Sequence, residues 1–405
     1  MAASLAAVSA CVARAQAPVP RARLTAASGV GKASLGGGGK LARCAPSSSK
    51  VLSTNPALAR RAVTRTASTS EDLLVDDGAG LLDRITADID CVVLDCDGVI
   101  WQGNTLLPGV RESIQLLRDM GKRLVFVTNN SNKSRKQYVH KFEQFGITVE
   151  KEEVFSAAFA AAAYLKTQAV TGKVYVVGGQ GIVDELNEMH IEVDPGVFGA
   201  VKCTEDDWTE LIVEDDVKAV IVGQDLEFTF AKLCYASLAI QQGAKFVATN
   251  PDHADVLGGL RVKMPGAGAC VAAVEVACGE SPEIYAGKPS AFLLELLKGN
   301  YVNMERTLVV GDRLDTDMAF GKAGDAGLTV LVLTGVSTLE DVDAAIEAGN
   351  PNVPDHVVMG LPQMLGLEPE DSTLLEFMDE DIPQGEVDME EDDRARAAFG
   401  AIENA

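Results

Sequence analysis

The sequence predicts a doubly wound α/β fold: a parallel sheet covered by helices on both faces and interrupted midway by a second α/β unit. Three observations carry this. The strand-like runs are continuously apolar rather than alternating, as in VVL, RLVFV, TLVV and LTVLVL, which is the pattern of strands buried on both faces. Segments of helical period separate them. The runs also end in polar residues, where open parallel sheets place their ligands.

The elements follow in chain order. DCVVLD (90–95) reads as a strand entering a loop at DCDG. GVRESIQLLRDMG (109–121) carries apolar residues at helical spacing, namely Val110, Ile114, Leu117 and Met120. RLVFVTNN (123–130) is a second strand with a polar end, and SRKQYVHKFEQFGI and SAAFAAAAYLKTQ (156–168) are the helices that follow. A new βα series then begins with KVYVVGGQG (173–181), VKAVIVGQD (217–225), a helix near FTFAKLCYASLAIQQG and AKFVATNPD (244–252). PEIYAGKPS (282–290), a helix over 291–299, TLVVGDRLDTDMAFGKAGD (307–325) and LTVLVLTGV (328–336) complete the chain's ordered part. Two series imply a Rossmann-like core over 83–172 and 284–366, split by an inserted α/β domain at 173–283.

The two ends differ from this middle. Residues 1–70 hold ten Lys/Arg and no acid, in an Ala-, Ser- and Gly-rich stretch without a compact apolar segment. That composition predicts an organelle transit peptide over 1–68 rather than a secretory signal. Composition alone does not separate plastid from mitochondrion, and it is the motif resemblance given below that implies a plastid. Residues 367–405 hold fourteen acids and two arginines, a composition that predicts a disordered acidic tail.

Composition also excludes partners. A formal charge of −24 argues against nucleic acid or an anionic membrane surface, and no apolar run approaches the ~20 residues of a membrane span. The eight cysteines form no CxxC and no Cys/His cluster, so neither a zinc site nor a disulfide framework is expected. Cys96 lies between two aspartates, where packing is the expected role. GGGGK (36–40) lacks the Ser/Thr of a phosphate loop, and DRLDTD lacks the glycine and glutamate of a calcium loop.

Four separated pieces fit one site. Asp95 and Asp97 close the first strand; Thr128 and Asn129 close another; Lys288 lies between Gly287 and Pro289; Asp312, Asp315 and Asp317 follow VVG. Carboxylates without His or Cys suit a hard cation, Mg²⁺. A cation with a lysine, a hydroxyl and amides suits a phosphoryl group. One carboxylate is then available as nucleophile and another to move protons.

DCDGVIW, FVTNNS, AGKPS and VVGDRLDTD, in this order, resemble the four motifs of the haloacid dehalogenase-like phosphatases. Within these, the resemblance is to the phosphoglycolate, pyridoxal and 4-nitrophenyl phosphatase subgroup, and it spans roughly residues 85–365. It implies a phosphomonoester hydrolase with Asp95 as nucleophile, Asp97 as general acid/base and Lys288 as the neutralising cation. It further implies Mg²⁺ on Asp95, the main-chain carbonyl of Asp97 and Asp312. Thr128, Asn129, Asn130 and Lys288 would hold the phosphoryl group, with Asp317 orienting Lys288 or metal-bound water and Asp315 facing solvent. The inserted domain matches the cap of this family, which selects the leaving group and often pairs two subunits, so a homodimer is expected. Its specificity segment is expected at ATNPDHADVLGG, around Asn250, Asp252 and His253, although His253 is equally readable as a surface loop residue. 2-Phosphoglycolate is the expected substrate. Pyridoxal 5′-phosphate hydrolysis, a broad 4-nitrophenyl phosphatase, a phosphomutase and a non-catalytic binding protein are the alternatives.

Overall fold

The computed structural model describes residues 69–74, 79–196, 211–257, 262–300 and 302–367. The expected transit peptide (1–68) and acidic tail lie outside them, apart from Leu367. The first half of the core holds α1 (Ala79–Asp88), β1 (Cys91–Leu94), a small hairpin of β2 (Trp101–Gln102) and β3 (Thr105–Leu106), and α2 (Val110–Asp119). It continues with β4 (Arg123–Thr128), α3 (Arg135–Gln144), β5 (Val154–Ser156) and α4 (Ala157–Thr167). The inserted unit contains β6 (Lys173–Val177), α5 (Gln180–Glu188), β7 (Val193–Asp194), β8 (Val217–Val222), α6 (Phe230–Gln241) and β9 (Lys245–Ala248). A second hairpin, β10 (Ala254–Leu257) and β11 (Val262–Pro265), precedes α7 (Ala267–Cys278) and β12 (Ile284–Tyr285). The core resumes with α8 (Ala291–Gly299), β13 (Thr307–Gly311), α9 (Ala319–Ala323), β14 (Leu328–Val332), α10 (Leu339–Glu347), β15 (His356–Val358) and α11 (Leu361–Met364).

The core sheet has the order β15-β14-β13-β1-β4-β5, and every pair in it is parallel. Successive residues of β1 serve opposite faces. Val92 and Leu94 join one apolar cluster with Leu124, Phe126, Leu308 and Val310; Cys91 and Val93 join another with Val125, Val127 and Val309. Both faces are therefore dry, and this explains the unbroken apolar runs. Chain order departs in opposite directions from β1, toward β4 on one side and β13 on the other, so a crevice opens at its carboxyl end. Leu94 is in register with both Phe126 and Val310. Asp95 follows one residue beyond this level, and Thr128 and Asp312 follow two residues beyond it, so the three emerge side by side at the strand ends.

The second sheet runs β12-β9-β8-β6-β7, again all parallel. Two expected boundaries move. Ile284 and Tyr285 pair with Val247 and Ala248 in this sheet, so the inserted unit extends past residue 283. The folded part also begins before residue 83: Leu74 bridges Val357, and the main chain of Leu73 accepts a hydrogen bond from Val357 N at 2.9 Å. An apolar pair at the β15 edge tethers this segment, which sequence periodicity is too short to reveal.

A buried ion pair joins the two units. Arg135 opens α3 of the core, and Glu185 lies on α5 of the insert. The Arg135 main-chain N donates to Glu185 Oε1 at 2.7 Å and its Nη2 meets Oε2 at 3.0 Å. Burial raises the Glu185 carboxyl above its usual range, and Arg135 opposes that rise. Removing the cation strands a charge in the interior. Arg135→Met is expected to destabilise the protein by about 3–5 kcal/mol, read as the shift in a urea unfolding midpoint.

Candidate active site

The site assembles at the carboxyl ends of β1, β4 and β13. Lys288, in the loop after β12, reaches in from the junction with the inserted unit. Its Nζ contacts Asp95 Oδ1 and Asp317 Oδ1, each at 2.6 Å, and donates to the Val127 carbonyl at 3.0 Å. All four side chains of this centre, Asp95, Lys288, Asp312 and Asp317, are buried. Oxygens of Asp95, Asp312 and Asp317 lie within 4.8 Å of one another.

Electrostatics in this cluster is one-sided. Burial pushes the Asp95 carboxyl up to about 7, with Lys288 pulling down and Asp317 pushing further up. Burial also raises Asp312, reinforced by Asp317 and Asp95. Burial works to lower the Lys288 ammonium, but Asp317 and Asp95 outweigh it and hold it above its ordinary range. Fully ionised, three carboxylates against one ammonium would carry an excess of two negative charges in a dry place, which is why Asp95 and Asp312 are pushed toward the protonated form.

The donor set fits a divalent cation. Asp312 Oδ2 accepts from Val336 N at 2.8 Å, whereas Oδ1 is buried with no hydrogen-bond partner. An orphaned, buried carboxylate oxygen between other carboxylates suits a hard ion. Gly98 makes room for this arrangement. Its φ is +83°, and a Cβ there would stand 2.6 Å from Asp312 Oδ2. Asp317 differs from Asp312, because both of its oxygens are engaged, one with Lys288 and the other with the Arg313 main-chain N at 3.1 Å. It orients the lysine. Asp315 is exposed and paired with Arg313.

The second motif serves two ends. Thr128 Oγ1 accepts from Asn130 N at 3.1 Å, and both residues line the cavity. The Asn129 side chain points to a different task from the expected phosphoryl contact. Its Oδ1 accepts from Lys288 N at 2.7 Å, and its Nδ2 donates to Asp252 Oδ2 at 3.0 Å and to the Lys288 carbonyl at 3.2 Å. Asn129 thereby fixes the backbone that carries Lys288, and its amide is engaged by protein groups. Asp97 stands apart from the carboxylate cluster; the Trp101 indole N–H donates to its Oδ1 at 3.0 Å.

A cavity of about 730 Å³ lies between these strand ends and the inserted unit. Asn250 and Asp252 reach its wall as braces. Asn250 Nδ2 donates to the Asn129 carbonyl at 2.6 Å, and Asp252 receives the Asn129 amide. Burial raises the Asp252 carboxyl while Arg313 and Asn129 oppose it. His253 is exposed and outside the cavity lining, so the expected specificity role at this residue is corrected to a surface position. The wall opposite the core comes instead from Gln224, Asp225, Leu226 and Phe228 after β8, with Met264, Pro265 and Cys270. QDLEF follows an apolar strand just as the core motifs do, and that was the available signal.

Comparison with known proteins assigns this arrangement. The haloacid dehalogenase-like hydrolase family model matches residues 92–192, and a HAD-hydrolase-like model matches residues 285–363. The chain is 40% identical over 289 residues to phosphoglycolate phosphatase 2 of Arabidopsis thaliana, covering 69% of this chain and 93% of that one. The chain belongs to the haloacid dehalogenase-like hydrolases. It is also 40% identical to the chloroplastic phosphoglycolate phosphatase 1A of the same plant, over 65% of this chain and 73% of the relative. Human glycerol-3-phosphate phosphatase is 39% identical, with 69% and 91% covered. Among solved structures, the glycerol phosphate phosphatase of Mycobacterium tuberculosis in complex with magnesium superposes with a TM-score of 0.57 at 30% identity, covering 72% of this chain and 79% of that one.

The protein is thus a phosphatase of this family, and the buried acidic cluster is its candidate metal site. Replacing the residue whose oxygen is orphaned should uncouple cation from fold. Asp312→Asn is expected to weaken divalent-cation binding by at least the ~10–100-fold typical of losing an outer-shell partner, measured by calorimetric titration with Mg²⁺ and Mn²⁺.

Proposed function

We propose that the protein is a Mg²⁺-dependent phosphatase that hydrolyses 2-phosphoglycolate through an aspartyl-phosphate on Asp95. One observation carries the mechanism: Lys288 binds one oxygen of Asp95 and one of Asp317, each at 2.6 Å. That contact leaves the second Asp95 oxygen available to attack. A bound Mg²⁺ supplies positive charge to the phosphoryl oxygens.

The chain's own groups perform the remaining tasks. Asp95 forms a bond to phosphorus as the ester P–O bond breaks. Asp97 gives its proton to the departing oxygen. With Oδ1 held by the Trp101 N–H, Oδ2 is the oxygen that carries that proton. Asp97 then takes a proton from water, the water oxygen bonds to phosphorus, and phosphate leaves with the Asp95 carboxylate restored. Lys288 stays charged throughout, held by two carboxylates, and offsets charge on the transferring group. Thr128 and the main chain of Asn129 and Asn130 orient it.

The substrate rests on the named plant relatives. Human glycerol-3-phosphate phosphatase, at 39% identity, supports glycerol 3-phosphate as the second reading. The plastid location rests on the acid-free, Arg-bearing first 70 residues and on the chloroplastic relative; there the enzyme would clear the product of Rubisco's oxygenase reaction. Phe230 and Val276 are exposed on the inserted unit and support a homodimer paired through it.

Asp95→Asn is expected to abolish phosphate release and the acid-stable trapping of ³²P on the chain. Asp97→Asn should slow turnover by about 10²–10⁴-fold, the usual contribution of a positioned proton donor. Free phosphate appearing without an added acceptor excludes a mutase. Unchanged release by Asp95→Asn would end the covalent mechanism.

A further inference from the structure

Four of the charged side chains lining the cavity, Asp95, Lys288, Arg313 and Asp225, have an ionic partner. Lys288 sits between Asp95 and Asp317, Arg313 meets Asp315, and Asp225 takes Lys232 at 2.8 Å. Lys133 and Lys141 differ. Both line the cavity, and neither has a carboxylate partner among the described residues. Lys133 makes no hydrogen bond there either. Lys141 donates to the Gly103 carbonyl at 2.8 Å and lies 3.9 Å from the Trp101 ring centroid. Burial lowers the Lys141 ammonium below its ordinary range; Asp97 opposes that and Lys133 adds to it.

In a chain with 59 acids and 35 bases, two lysines that line one cavity and form no ion pair among the described residues leave room for an anionic ligand. The phosphoryl group does not supply the reason, because Lys288 and the metal site already face it. The segment bearing Lys133 is also held in place. Gly181 N of the inserted unit donates to the Asn132 carbonyl at 3.0 Å, and Asn132 Nδ2 donates to Gln224 Oε1 at 2.7 Å. Half-buried Lys133 is therefore anchored at its base and lines the cavity.

We propose that Lys133, supported by Lys141, binds a carboxylate on the leaving group, which makes the enzyme selective for phosphomonoesters of hydroxy acids over those of neutral alcohols. This rests on the reading of the cavity as a phosphomonoester site and explains why 2-phosphoglycolate should be preferred to glycerol 3-phosphate there.

The test compares wild type, Lys133→Gln and Lys133→Arg on 2-phosphoglycolate, glycerol 3-phosphate and 4-nitrophenyl phosphate, with inhibition by inorganic phosphate followed alongside. The expected result is a fall of at least about tenfold in the ratio of kcat/KM for 2-phosphoglycolate to that for glycerol 3-phosphate in Lys133→Gln, the scale of one charge-assisted hydrogen bond. The loss should lie mainly in KM, and Lys133→Arg should restore most of it. A ratio that stays within about twofold overturns the proposal. So does an equal loss on all esters with a matching loss of phosphate inhibition, which would place Lys133 on the phosphoryl group. A wild type that favours glycerol 3-phosphate overturns the carboxylate subsite while leaving the phosphatase intact. Hydrolysis of none of the three esters overturns both.

Discussion

The contact between the Lys288 ammonium and the Asp95 and Asp317 carboxylates is the constraint on which the rest of the site depends. Two like charges ~4 Å apart oppose each other by about 4 kcal/mol at an effective dielectric of ~20. Three such carboxylates, with oxygens within 4.8 Å of one another, hold together only if positive charge lies among them. One ammonium answers part of that need. The orphaned oxygen of Asp312 marks where the remainder must enter. The fold meets this requirement by setting Leu94, Phe126 and Val310 in register, so that the charged residues emerge together where the apolar faces stop. Breaking that register would scatter the carboxylates and remove the reason for a cation.

The lysine is not part of the sheet that presents the carboxylates, and its placement is therefore a problem of long-range order. Asn129 solves it. Its amide closes on the main chain of Lys288 from both sides, accepting from the N–H and donating to the carbonyl. The same amide meets Asp252, and Asn250 closes back onto the Asn129 carbonyl. The loop after β4, the lysine loop and the inserted unit thus share one hydrogen-bond network. A few residues further, Arg135 and Glu185 lock the same loop to α5. The segment 128–135 both lines the cavity and seats the insert, which couples the shape of the cavity wall to the position of Lys288.

Much of this was legible in the sequence because it is local. An apolar run followed at once by Asp, Thr or Asp needs only the period and its end to be read, and Asp95, Thr128, Asp312 and Lys288 do converge. Asp317 was expected to orient the lysine or metal-bound water, and its contact with Lys288 at 2.6 Å is a geometry consistent with the first role. What escaped was set by distant partners. The Asn129 amide looks like a phosphoryl ligand in sequence, since nothing local shows that residues 252 and 288 will surround it. His253 attracts attention as the one histidine in its loop, yet its exposure is decided by how the β10–β11 hairpin lies. Two-residue strands such as β2, β3 and β12 are too short for any periodicity, and for that reason the end of the insert moved.

The charge of the whole chain and the charge of the cavity point in opposite directions, and distance decides which matters. A formal −24 repels an anionic ester from afar, but at physiological salt such repulsion fades beyond about 8 Å. Within the cavity, low exposure and nearby backbone make local ions count for more than the total. On the readings proposed above, Lys288 acts at the phosphoryl end and Lys133 with Lys141 on the leaving group, while Asp225 and Arg313 are neutralised by their own neighbours. A substrate with negative charge at one end satisfies only Lys288. One with negative charge at both ends satisfies the whole wall, and a leaving group that remains an acid after the ester breaks keeps that contact through the transition state. The acidity of the surface then costs encounter rate at low salt and leaves selectivity to the few cations inside.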